Sequence, residues 1–350
     1  MIHIASHSLV TTIQDLGRVG YQKYGINVSG AMDPLSLRAA NLLVGNEEGA
    51  GAIEMTLIGP DMTFEEDTLL ALTGADLSPN IKGIPVPMYR PVAVKAGTVL
   101  SFGRPRLGVR GYMAVAGGFT VPSVMGSQST YARAGIGGFE GRPIRAGDSV
   151  PTGEPSSKVK KYMKSLLKGK NFGWPSWFAG NFYMNEKSLR EPVRYTEGLQ
   201  YDYFTEKSHQ LLNEGHYIVT ANPDRMATFY GQAYTTTTKC DRMGYRLSGP
   251  KLGLTSPLEM ISEMCALGTI QVPPEGNPII LMAEHQSCAG YPEIGQAALV
   301  DIGRIAQKGP KDTICFKKIS REEAEDEFIF MEKKMREIRE GISYRTGWGE

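Results

Sequence analysis

Apolar residues in this chain fall mostly in short bursts between glycines. From Asp67 to Val121 the runs TLLALTG, VAVKAGTVLSFG and GYMAVAGGFTV cluster or alternate apolar positions over stretches too short for a typical helix, which predicts strands. GTIQV, PIILMA and DTICFKKI repeat the pattern later, with Ile314 and Phe316 alternating against more polar neighbours. The turn-then-strand phrase KAGTVL, from Lys95 to Leu100, is echoed by RAGDSV, from Arg145 to Val150, which we read as shared turn chemistry and not as duplication. Two segments break the strand rhythm. Asp33 is suited to an N-cap and Pro34 to a first helical position, and Leu35, Leu37, Arg38, Leu42 and Leu43 follow before Gly45 closes a helix. Near the end, Ser320 and Glu323 form a capping box, and Ala324, Phe328, Met331, Met335 and Ile338 recur at helical spacing. That stripe is expected to pack on its own domain, with a partner helix as the alternative.

The clearest interruption lies between residues 151 and 191. TGEPSSKVKKYMKSLLKGKN is basic and rich in Ser and Pro, and FGWPSWFAGNFYMN is aromatic, so the stretch reads as a linker that docks through its tryptophans. Its lysines, from Lys158 to Lys170, are expected to form a solvated helix face. The implied organisation is an N-terminal β-rich domain over 1–150, the linker over 151–191, a second β-rich domain over 192–319, and a helix and tail over 320–350. Asp224, Arg225 and Met226 echo Asp241, Arg242 and Met243 by chance.

Composition narrows the picture. The 41 glycines and 21 prolines exceed average usage and favour many strands joined by tight turns. A formal net charge of +1 argues against nucleic acid as a partner. Cys240, Cys265, Cys288 and Cys315 are widely spaced with no CxxC pair, so neither a zinc site nor a disulfide framework is expected. His3 and His7 share a strand face but have no further ligands nearby in sequence, so no metal is expected. MIHIASHS does not resemble a secretory leader and no run approaches a bilayer span, which leads to the expectation of a cytoplasmic protein without membrane contact.

The stretch with most chemistry is Thr11 to Asn46. Before the helix, Asp15, Gly17, Arg18, Gly20, Gln22, Gly25 and Gly30 make a polar, glycine-rich loop suited either to turns between strands or to close backbone approach to a ligand. TTIQDLGRVGYQ followed by SGAMDPLSLRAANLLVGN closely resembles the start of the biotin-dependent carboxyltransferase family, which includes the C subunit of 5-oxoprolinase and the allophanate-hydrolase subunit 2 type domain of urea amidolyases. GADL, RGYMAVAGGF, GSQSTY, GGFEGRPIRAGD, CDRMGYRLSGP, GTIQVPPEGNPIIL and HQSCAGYP extend the resemblance, in order, over most of positions 8–316.

The resemblance implies a mainly β fold with two tandem cyclophilin-like β-barrel domains and a few short helices. It also implies the C subunit of an ATP-hydrolysing 5-oxoprolinase, working with a companion cyclophilin-like B subunit and an A subunit to open the 5-oxoproline lactam to L-glutamate. A lactam is resonance-stabilised, so hydrolysis requires its carbonyl oxygen to become a leaving group by phosphorylation. GxxxxGK[ST] is missing, since Gly169 and Lys170 are followed by Asn171; ATP therefore binds either elsewhere in the complex or in a nest of Gly126, Ser127, Ser129 and Thr130. Arg18, Arg142 and Arg242 are candidates for the substrate carboxylate, each equally suited to anchoring loop carbonyls or an aspartate. Asp15, Asp241 and Glu284 are candidates for proton transfer, with Gln286 and Tyr291 as donors, whereas the N-cap role already accounts for Asp33. The phrase YMKS around Lys164 does not match a biotinyl-lysine context, so no covalent biotin is expected on this chain.

Two departures from the family pattern stand out. Ser8 replaces a glycine, and the usual Asp-Arg-Gln-Thr-Thr-Gly-Gly-Tyr-Pro run becomes Glu284 to Pro292, which puts His285 in place of an arginine. Cys288 in that run reads as a packed thiol. The alternatives are a carboxyltransferase component of a biotin-dependent urea or amide carboxylase, and a non-catalytic regulator binding a partner like a sporulation-kinase inhibitor.

Overall fold

A computed structural model describes residues 1–180, 185–213, 216–218, 228–230 and 233–348. The chain forms two compact β units. The first comprises Met1–Gly20, Val28–Met184 and Glu332–Glu350, and the second Tyr21–Asn27 and Asn185–Met331. Among the described residues six α-helices accompany the strands: α1 (Pro34–Val44), α2 (Ser157–Leu167), α3 (Glu186–Arg190), α4 (Glu206–Asn213), α5 (Ile302–Ala306) and α6 (Arg321–Thr346). The mainly β architecture agrees with the expectation, although α6, at 26 residues, is not short.

In the first unit a six-stranded sheet runs in the order 172–173, 91–94, 68–76, 107–115, 52–56, 10–14, and all its pairings are antiparallel. One face packs Leu70, Leu72, Met113 and Val115 into a core shared with Ile2, Ile4, Met62 and Phe64 of a four-stranded sheet. The opposite face packs Leu69, Ala71, Ala93 and Ala114 against Leu37 and Leu43 of α1 and Val159, Met163 and Leu167 of α2. Because both faces are buried, TLLALTG is apolar without strict alternation. The two echoed phrases end in 99–100 and 149–150, the opposite edge strands of the four-stranded sheet.

Both helix predictions hold at the level of their caps. The Asp33 carboxylate accepts the Ser36 N–H at 3.1 Å, and Gly45 ends α1 in the left-handed conformation at φ 76°. At α6 the Glu323 carboxylate accepts the Ser320 N–H at 2.7 Å while Ser320 Oγ accepts the Glu323 N–H at 3.1 Å.

The boundaries differ from the expected ones. Helix α2 and the chain as far as Met184 belong to the first unit, so 151–191 is not a linker. Val159, Met163 and Leu167 recur every four residues, and this apolar stripe is what the lysine-rich composition obscured. The lysines themselves are exposed, and Trp174 and Trp177 pack against the unit's two apolar clusters. The tail is also not separate, because α6 passes from one unit's residues to the other's after Met331. Asp224, Arg225 and Met226 lie outside the described residues.

The second unit is built on an eight-stranded sheet in the order 313–314, 234–236, 244–248, 279–281, 269–271, 293–297, 193–197, 316–318. Only the last pairing is parallel. The two end strands are separated in the chain by Cys315 alone, so the sheet curls round into a nearly closed barrel. Its interior holds Tyr195, Tyr234, Tyr245, Ile270, Ile280 and Phe316, with the Phe316 ring edge-on to Tyr195 and Tyr234 at 6.1 and 5.8 Å.

Candidate functional site

The first unit gathers most of the N-terminal candidates into one knot. Strand 10–14 delivers Asp15 to the loop 127–130, where its Oδ1 accepts the Gly17 N–H and the Ser127 and Ser129 hydroxyls at 2.7, 2.7 and 2.5 Å. Its Oδ2 accepts the Gln128 N–H at 2.6 Å. Arg18, 1% exposed, donates from Nη2 to the Ser129 carbonyl at 2.6 Å, and the Thr130 hydroxyl donates to the Ile13 carbonyl at 2.9 Å. Gly137, at φ 67°, sits over this knot; a Cβ there would lie 2.2 Å from the Ser129 oxygen.

This arrangement corrects two expectations. Ser127, Ser129 and Thr130 do not form an open phosphate nest, because their hydroxyls are engaged and a carboxylate occupies the place an anion would need. Asp15 and Arg18 are buried and anchor backbone and hydroxyl groups, which is the structural one of the two roles open to them. Arg142 is likewise engaged, with Nη1 and Nη2 on the Asp148 carboxylate at 2.7 and 2.9 Å, a pairing that holds the Asp148 carboxyl below its usual range.

In the second unit Asp241, Gln286 and Tyr291 are exposed, while the Arg242 side chain, 12% exposed, is less open than that of Arg142 at 27%. Between strands 234–236 and 244–248 the chain turns at Asp241, whose Oδ1 accepts the Met243 and Gly244 N–H groups at 2.8 and 3.2 Å. Asp241 therefore shapes the turn while remaining exposed. Arg242, next in the turn, donates from Nε to Glu284 Oε1 at 2.6 Å. Backbone bonds fix that pair: the Glu284 N–H donates to the Arg242 carbonyl at 2.7 Å, and Met282 N–H to the Met243 carbonyl at 2.9 Å. Asn27 Nδ2 holds the Glu284 carbonyl at 2.8 Å. Sequence reading gave Asn27 no role, and a lone asparagine beyond a glycine loop carries no signal for a contact 257 positions away.

Beyond Glu284, the loop alternates buried and exposed groups. His285 is buried, its Nδ1 donates to the Gln286 carbonyl at 2.8 Å, and burial lowers its pKa. A neutral imidazole cannot stand in for the charged fork of an arginine. Gln286, Cys288 and Tyr291 are exposed, with Cys288 Sγ 3.5 Å from Met264 Sδ. The loop ends at Glu293, 7% exposed, whose carboxyl pKa is raised by burial and which sequence reading did not single out.

Two buried ionic clusters were also not foreseen. Glu54 accepts the Met32 N–H and the Tyr112 hydroxyl at 2.9 and 2.7 Å and lies 3.6 Å from Arg110. Asp301, fully buried, receives Arg194 Nη2 and Arg304 Nη2, each at 2.6 Å. Asp301 and Arg304 are three residues apart at the start of α5, but Arg194, Glu54, Tyr112 and Arg110 come from separated strands, so local spacing does not reveal either cluster as a whole. Among the described residues, no group of three or more His, Cys, Asp or Glu side chains could hold a metal ion, and no helix is long and apolar enough to cross a membrane.

Residues 24–228 and 226–318 match the model of the family described as carboxyltransferase domain, subdomain A and B. The chain belongs to this carboxyltransferase-domain family. It is similar to the C subunit of 5-oxoprolinase from Haemophilus influenzae, with 37% identity over 93% of each chain. With the C subunit of the Escherichia coli 5-oxoprolinase the identity is 35%, again over 93% of each. Among solved structures, the Kluyveromyces lactis urea carboxylase superposes with a TM-score of 0.78 at 26% identity, covering 97% of this chain but 29% of that one. The family match thus extends through both β units, and its second part contains the Arg242–Glu284 turn.

Proposed function

We propose that this chain is the C subunit of an ATP-hydrolysing 5-oxoprolinase, acting in the cytoplasm with an A subunit and a companion β-barrel B subunit. The observation that carries the reading is the end-to-end similarity to two 5-oxoprolinase C subunits, 93% of each chain, where the urea carboxylase is matched over 29% of its length. Opening the lactam requires a carboxylate anchor, an activated carbonyl and a group to move protons. Arg242, oriented by Glu284, supplies the first, with Gln286 and Tyr291 as further hydrogen-bond donors. Glu293, whose carboxyl retains its proton to higher pH than an exposed one, is suited to the third.

Carbonyl activation by ATP is assigned to a companion chain, because the hydroxyls of Ser127, Ser129 and Thr130 are already engaged. Covalent biotin is not assigned to this chain: Lys164 lies within α2, and a biotinyl-lysine needs an exposed hairpin tip. The urea carboxylase likeness keeps one rival specific, in which the same turn receives a carboxyl group from carboxybiotin on another protein. The test is glutamate release from 5-oxoproline and ATP by this chain mixed with its two companions, each omitted in turn. Glutamate formed only with all three is expected. A stable complex that yields no glutamate, yet transfers carboxylate from carboxybiotin to urea, would replace this reading with the rival.

A further inference from the structure

The outer face of the first unit's four-stranded sheet carries a serine, a histidine and a carboxylate in one bonded chain. Ile2 and Ile4 point inward and are buried, so His3 between them points outward, with 41% of its side chain exposed. Its register neighbours are Ser149 on the end strand 149–150 and Thr63 on strand 62–64. The Ile4 N–H donates to the Asp148 carbonyl at 2.9 Å, which makes His3 and Ser149 a narrow pair, the kind whose facing side chains lie closest. Glu65 directly follows strand 62–64, and its N–H donates to the Met1 carbonyl at 3.1 Å, which sets its side chain on the same face, one diagonal from His3.

His3 Nδ1 lies 2.7 Å from Ser149 Oγ, and His3 Nε2 lies 2.6 Å from Glu65 Oε1. The bond from His3, together with the Met1 amino group 3.2 Å from Oε2, holds the Glu65 carboxyl below its usual range, so this carboxylate brings no proton to the ring. In the neutral imidazole the proton is therefore on Nε2, Nδ1 presents a lone pair, and the Ser149 hydroxyl donates to it. Nucleophile, base and orienting carboxylate are recognised by this geometry and not by chain order. The Ser149 N–H points away from His3 at the open edge of the sheet and has no partner among the described residues, which leaves a donor next to Oγ.

We propose that Ser149, His3 and Glu65 form an acyl-transfer site for small uncharged esters, with Ser149 as the nucleophile, His3 as its base and Glu65 as a positioning residue. Ser149 Oγ attacks the ester carbonyl carbon while its proton passes to His3 Nδ1, and the free Ser149 N–H faces the developing oxyanion. The carbon–alkoxy bond then breaks and the leaving alcohol takes the proton from His3. Water repeats the sequence on the acyl-serine, losing a proton to Nδ1 and returning the Oγ–H. Small substrates are expected because the site lies on an open sheet face, and uncharged ones because the Glu65 carboxylate repels an anionic acyl group.

The experiment follows nitrophenolate release from p-nitrophenyl acetate by the purified full chain, with peptide mass spectrometry of acid-quenched samples and circular dichroism of each variant. Wild type is expected to turn over steadily and to carry acetyl on Ser149. S149A and H3Q should each lower the rate by roughly 100-fold or more, the scale of a positioned base. E65Q keeps an acceptor for Nε2 but removes the charge that favours the imidazolium, so it should move the midpoint of the rate's pH profile downward, which a purely structural role would not do. A fluorophosphonate, whose phosphorus bonds to Oγ as fluoride leaves, should label Ser149 of wild type and block release, a test that needs no substitution. Release that S149A leaves intact overturns the proposal, also where H3Q alone abolishes it, since the imidazole is then the nucleophile. An acetyl group that stays on Ser149 without further turnover overturns it as well.

Discussion

Replacing Asp15 by asparagine separates an anchor from a catalyst. The carboxylate takes the Gly17 and Gln128 N–H groups and the Ser127 and Ser129 hydroxyls, all between 2.5 and 2.7 Å, in a site 7% exposed. Asparagine preserves shape and can keep one oxygen towards the two hydroxyls, but its NH₂ then faces the Gln128 N–H. The change removes charge from every bond and leaves a buried donor against a donor, which together cost about 3–5 kcal/mol. For a unit of this size that is a fall in Tm of roughly 6–20 °C. Trp174, Trp177 and Trp348 all lie in the first unit, so tryptophan fluorescence in urea reports its unfolding selectively. S127A should cost about 1 kcal/mol in wild type and much less in D15N, because the two groups act together. A D15N chain that unfolds within about 1 kcal/mol of wild type while losing all activity in the reconstituted complex would refute the anchoring role and return Asp15 to chemistry.

Other outcomes follow from the second unit. R242K keeps the charge but loses the planar fork set by Glu284, and should raise KM for 5-oxoproline by roughly 10- to 100-fold in the reconstituted enzyme, with a smaller effect on kcat. D301A leaves Arg194 and Arg304 without their shared carboxylate, and should destabilise the second unit by about 3–5 kcal/mol, read as faster hydrogen exchange in strand 193–197 and α5. The lowered pKa of His285 means that the unfolded chain binds its proton first as pH falls below 6.5, so this contribution to stability is present above that pH and lost through the folded value; H285Q should flatten the slope there. For Glu293 the sign reverses, since its raised pKa favours the folded state below 4.5 and that contribution is lost as pH rises through the folded value, a loss that E293Q removes.

The sequence by itself determined the parts of this protein that depend on neighbouring residues. Asp33 with Pro34 and Gly45, and Ser320 with Glu323, announced two helices because caps satisfy backbone groups within one turn of the chain. Short apolar bursts between glycines announced strands for the same local reason, and the ordered motifs from Thr11 to Pro292 announced the family. Tertiary structure alone decided which polar groups are open. Asp15 meets Ser127, Gln128 and Ser129 across 112–114 positions, and Asp301 meets Arg194 across 107, so their engagement exists only once strands are paired. The unit boundaries were hidden in a similar way, since the lysines of α2 dominate its composition while Val159, Met163 and Leu167 do the packing. Residue type states what a side chain can bond to; only the folded chain determines whether that capacity faces a ligand or is already satisfied inside.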